Sequence, residues 1–85
     1  MEYLIIAFRS RTHTIEFSKL LRLNFISNEI VNTPKEAGVG CGLSVKIDKG
    51  YFLTVKRIVH SLNRSSFAGF FLVSMHGNRK TVRTV

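Results

Sequence analysis

The sequence has one cysteine, Cys41, and one proline, Pro34. A single cysteine cannot close an internal disulfide and nothing else points to export, so a reduced thiol in the cytoplasm is expected. Long apolar stretches are missing too. The longest, Leu4 to Phe8, falls far short of the roughly 20 residues that span a bilayer, so no membrane association is expected. The chain also opens without the basic start, apolar stretch and small-residue cleavage site of a signal peptide. Acidic residues are scarce: five Asp and Glu stand against thirteen Lys and Arg, a formal net charge of +8. The shortage is uneven. Residues 1–45 hold five basic residues against four Glu, and residues 46–85 hold eight against Asp48 alone. Such a field suits an acidic partner, whether protein surface, nucleic acid or small anion. It equally suits a solvated basic face that keeps a small protein in solution.

At 45% hydrophobic, with a mean hydropathy of +0.12, the chain is too apolar to stay disordered. Eighty-five residues make one small domain with little core to spare. Tyr3 to Phe8 reads as a strand buried on both faces. Ser10 and Thr12 can cap a helix whose apolar stripe is Phe17, Leu20, Leu21 and Phe25, with Lys19 and Arg22 opposite. Glu29 to Thr33 is a second short strand closed by Pro34, since proline cannot donate to a central ladder. In the third, Leu43, Val45 and Ile47 alternate with Ser44 and Lys46, the period of a half-buried strand. Asp48 can cap a second helix with the stripe Phe52, Val55, Ile58, Val59 and Leu62. Phe67 to Met75 is a last apolar strand.

The order strand, helix, strand, strand, helix, strand predicts an α+β fold. Its compact solution is a ferredoxin-like βαββαβ sandwich, a four-stranded antiparallel sheet with two helices on one face. The first and last strands, the most hydrophobic, are expected as its central pair. Residues 1–75 would form this domain, and residues 76–85 a flexible basic tail.

Cys41 is the distinctive chemical group. It lies in the loop of residues 34–42, with Gly40 and Gly42 on either side and Gly38 just before. Glycine admits positive φ and close approach of a partner's backbone, and loop amides can form a small anion-binding nest. Lys35 and Lys46 are near in sequence and are candidates to stabilise a thiolate, against Glu36. The competing reading makes Cys41 a small buried hydrophobe at the start of a strand.

The run Thr33-Pro34-Lys35-Glu36, Ala37-Gly38-Val39-Gly40, Cys41-Gly42-Leu43-Ser44-Val45 resembles the motif of the selenium/sulfur carrier-like family. That family consists of short bacterial domains with a Thr-Pro-basic-Glu turn, four mostly small residues, then Cys-Gly-Leu and a strand. The resemblance extends over residues 3–62. It implies that Cys41 bears sulfur or selenium as a persulfide or selenopersulfide, with Pro34 and Gly42 shaping the loop. It also implies donor and acceptor proteins as partners, and a thiol carrier rather than an enzyme. Two departures stand out: Phe25 occupies a position where the family usually has glycine, and the second helix and tail are more basic.

No cofactor is expected. One cysteine and the scattered His13, His60 and His76 show no metal-ligand spacing, and no residue can be named to orient a Cys-His pair. Gly38, Gly40 and Gly42 precede a strand, where the dinucleotide fingerprint needs a helix. The alternative function is a small nucleic-acid- or protein-binding module with a structural cysteine. Gly69 to Met75 echoes the aromatic strand of RNA-recognition motifs, although core packing accounts better for its phenylalanines. The edge strand Glu29 to Thr33 shows no partner-specific feature, and self-association as a homodimer is open.

Overall fold

A computed structural model describes residues 1–85. The apolar run near the start forms strand β1 (Glu2–Phe8). Ser10 then caps helix α1 (Arg11–Leu23), its hydroxyl accepting the amide of His13 at 3.1 Å. Strand β2 (Glu29–Asn32) leads into a loop with a 3-10 turn at Lys35–Ala37 and out along strand β3 (Leu43–Ile47). A second 3-10 turn, Lys49–Tyr51, is capped by the Asp48 carboxylate on the amide of Gly50 and feeds helix α2 (Phe52–Leu62). Strands β4 (Phe67–His76) and β5 (Arg79–Thr84) complete the chain.

The structure is α+β, with two α-helices and an antiparallel sheet ordered β2-β3-β1-β4-β5. The sheet has five strands, which corrects the four-stranded expectation. The segment expected as a flexible tail pairs along β4, from His76 opposite Arg79 to Phe71 opposite Thr84. Gly77, with φ +61°, and Asn78 make the two-residue connection. The strand was hidden because every residue in it except Val82 is exposed, and Arg79, Lys80 and Arg83 give the segment a polar look. Charged side chains are the ordinary dress of an edge strand. The expected inner pair, β1 and β4, are neighbours: β1 is the middle strand, and β4 is interior because β5 covers its outer edge.

Alternation along the strands sorts the core into two clusters. Leu4, Ile6 and Phe8 of β1, Val45 and Ile47 of β3, and Phe70 and Leu72 of β4 pack against Phe17, Leu21, Val55 and Val59 of the helices. Ile5, Ala7, Phe71 and Val73 point to the other face, where Ala37, Val39 and Val82 cover them. β1 is therefore buried on both sides, as its continuous apolar run requires. The loop after β2 folds beneath the helix-free face, bringing its 3-10 turn against β5, and then returns to the end of β1.

Helix α1 ends in a Schellman motif. The amide of Phe25 bonds to Arg22 O and that of Ile26 to Leu21 O. Phe25 holds the left-handed position of this motif at φ +60° and is 93% exposed. It does not continue the apolar stripe. The glycine that the family resemblance leads one to expect there is the residue this conformation favours.

Candidate functional site

Cys41 sits where three elements meet: the end of β1, the first turn of α1 and the start of β3. Its amide donates to Phe8 O at 3.1 Å, and the next residue, Gly42, accepts the Thr33 amide on its carbonyl at 2.9 Å. Thr33 and Ser44 close the base of the loop with a hydroxyl–hydroxyl bond of 2.7 Å. Phe8 is itself held firmly. Its ring lies 5.2 Å from that of Phe17 and 5.9 Å from that of Phe67, within an aromatic cluster that continues to Phe70. The carbonyl that anchors Cys41 thus belongs to the residue with the largest of the fully buried side chains.

The loop needs glycine most at Gly40. Its φ is +97°, and a Cβ there would come 3.3 Å from Phe8 O and 3.8 Å from the Ala7 side chain. The backbone passes too close to β1 for a side chain to fit without movement. Gly42 (φ +93°) and Gly38 (φ +67°, ending the 3-10 turn) have open space around them and meet only the conformational requirement. Pro34, at φ −59° and ψ 141°, starts that turn. Together Thr33, Pro34, Lys35, Val39 and the three glycines line a shallow depression of about 290 Å³.

Cys41 is half-buried, and its side chain reaches Thr14 of α1. Sγ lies 3.7 Å from Thr14 Oγ1 and 3.6 Å from Leu43 O. The residue is thus neither sealed in the core nor fully exposed, and its sulfur has two polar neighbours. Neither of the two lysines expected beside it forms a hydrogen bond with the sulfur. Lys46 Nζ lies 3.3 Å from Glu29 Oε1 and 4.4 Å above the Tyr3 ring, and Lys35 is exposed on the 3-10 turn. Pro34, Gly38, Gly40, Cys41 and Gly42 therefore lie in one loop, and the sulfur has no hydrogen bond to a lysine.

Thr14 and Phe8 are the partners that sequence reasoning missed. Thr14 is fully buried, on the same helical stripe as Phe17 and Leu21. A hydroxyl at i, i+3, i+7 spacing with core residues was the available signal, since such a group needs an internal partner. Its pairing with a residue 27 positions away has no local signature.

Other polar groups are engaged away from the thiol. His13 bonds to Ser66 Oγ, and Arg64 meets Glu16 at 3.3 Å. Glu2 accepts from Lys49 Nζ and Ser74 Oγ, each at 2.9 Å, which holds its carboxyl below the usual carboxylate range. No group of three or more His, Cys, Asp and Glu is gathered at one place. No helix is long and apolar enough to cross a membrane. Phe70 and Phe71 of β4 are only 5% and 6% exposed, one facing the helices and the other under the β2–β3 loop. They offer no open platform for stacking bases.

Comparison with known proteins gives one match. No curated protein and no solved structure is detectably similar. Residues 3–65, which include both helices and the whole Cys41 loop, match the family described as putative Se/S carrier protein-like. By this match the chain belongs to the putative Se/S carrier protein-like family.

Proposed function

We propose that the protein carries sulfur or selenium on Cys41 and passes it between partner proteins. The observation that carries this reading is the placement of the thiol. Its backbone is fixed to Phe8 O within a glycine loop, and the residue is only half-buried. Family membership supports the same reading.

In the sulfur form of the reaction, Cys41 gives its proton to solvent and its thiolate attacks the outer sulfur of a donor's persulfide. The donor's S–S bond breaks, and its electron pair leaves with the donor thiolate. A new S–S bond forms on Cys41, with no net oxidation or reduction. An acceptor thiolate reverses the step. Selenium follows the same course through a selenopersulfide. The partners are then a donor and an acceptor protein, and the thiol must be kept reduced, as the cytoplasm does.

The test is intact mass after incubation with polysulfide or with a cysteine desulfurase and cysteine. The native chain is expected to gain one sulfur, reversibly with reductant. Cys41→Ser is expected to keep its fold and gain none. A native chain that gains no cysteine-dependent sulfur would sink the proposal.

A further inference from the structure

Thr14 has a single hydroxyl proton and two acceptors within reach. Its Oγ1 lies 3.0 Å from Ser10 O, to which it donates, and 3.7 Å from Cys41 Sγ. Ser10 O also accepts the Thr14 amide at 3.0 Å, so it stays satisfied if the hydroxyl turns away. The sulfur's other polar neighbour, Leu43 O at 3.6 Å, can only accept. A protonated Cys41 can therefore donate to Leu43 O or to Thr14 Oγ1. A thiolate has nothing to offer a carbonyl, and the Thr14 hydroxyl is then the side-chain donor beside it.

From this geometry we propose that Thr14 is a positioning residue for the Cys41 sulfur, its hydroxyl turning from Ser10 O to Sγ when the thiol loses its proton. No charged group takes this part. Arg9 of the β1–α1 junction donates to Phe67 O, and the His13 ring of α1 bonds to Ser66. Arg11 at the start of α1 and Lys35 and Glu36 of the 3-10 turn are exposed, and Lys46 of β3 is paired with Glu29. Thr14 is wholly buried, so its hydroxyl is shielded from water and its orientation is set by these partners alone. Its importance to transfer rests on the carrier reading of Cys41, but its effect on the thiol does not.

The experiment is alkylation of the native chain, Thr14→Val and Thr14→Ser by iodoacetamide across pH. Thr14→Val keeps the shape and removes the donor. It is expected to react about tenfold more slowly near neutral pH, the effect of losing one hydrogen bond to a charged acceptor. Its pH profile should move to higher pH, with an alkaline plateau no lower than the native one, because a thiolate without the hydrogen bond is the better nucleophile. Thr14→Ser is expected to restore the native profile, and a purely structural role would leave all profiles alike. A folded Thr14→Val that alkylates like the native chain overturns the proposal. Thr14→Ala carries the same comparison if the valine variant does not fold. Alkylation needs no sulfur donor, so this result and the sulfur-loading result fail independently.

Discussion

The amide of Cys41 donates to the carbonyl of Phe8 across 3.1 Å, joining the loop after β2 to the last residue of the most buried strand. The two residues are far apart in sequence, and the bond lies outside the regular ladders. It makes the position of the thiol depend on β1 and its aromatic packing, and so on the core as a whole.

That bond sets the expectation for Gly40. Gly40→Ala demands a left-handed φ from an L side chain and pushes a methyl to 3.3 Å from Phe8 O. Urea unfolding is expected to show a loss of about 1–3 kcal/mol. The thiol's alkylation rate should change as well, because Cys41 follows directly. Gly42→Ala, with open space around it, should cost less. Equal losses in the two variants would show that crowding against Phe8 is unimportant.

Phe25 predicts a gain. It holds a left-handed Schellman position with almost its whole side chain in water, so replacing it loses no burial. Phe25→Gly is expected to stabilise the fold by about 0.5–1 kcal/mol. Relief of the left-handed strain is partly offset by the freer unfolded chain. A lower urea midpoint for the variant would contradict the strain argument.

Glu2 and Lys49 predict the pH response. Hydrogen bonding by Lys49, then by Ser74, lowers the Glu2 carboxyl, and bonding to Glu2 raises Lys49. The Glu2 contribution is present above the ordinary carboxylate range and lost as pH falls through the lowered value. The Lys49 contribution is present below the ordinary lysine range and lost as pH rises through the raised value. Glu2→Gln should therefore flatten both limbs of a curve of urea midpoint against pH. Because the pair is at the surface, the difference should shrink in high salt. Parallel curves for the two proteins would refute this.

Strand β5 predicts the cost of truncation. Ending the chain at His76 removes the partner of β4 and uncovers Phe71 and Val73, which Val82 helps to bury. A loss on the order of 2 kcal/mol is expected in chemical denaturation, with more self-association on sizing as the β4 edge opens. Unchanged stability would mean that the segment is an appendage after all.

Much of this architecture was legible in advance because its signals are local. The run Leu4 to Phe8 announced a strand buried on both faces, and Ser10 marked the start of α1. The loop of Pro34, Gly38, Gly40, Cys41 and Gly42 could be read as a unit, and its resemblance to the family agrees with the match over residues 3–65. β5 was not legible, because an edge strand at low burial needs no apolar alternation. Gly77-Asn78 was its available hairpin signal. Lys46 was placed beside the thiol on sequence proximity, whereas extension along β3 carries it away to Glu29 and Tyr3.

By itself, then, the sequence determined the helices, the first four strands and the glycine loop that presents the one thiol. Each of these follows from hydrophobic period, capping or turn chemistry within a few residues. Only the tertiary structure decided what the thiol touches. Thr14 from α1 and Phe8 from β1 meet Cys41 because the packing of α1 and β3 against β1 brings separate segments to one end of β1. Contacts between residues distant in sequence are set by how buried faces pack, and no local pattern records them.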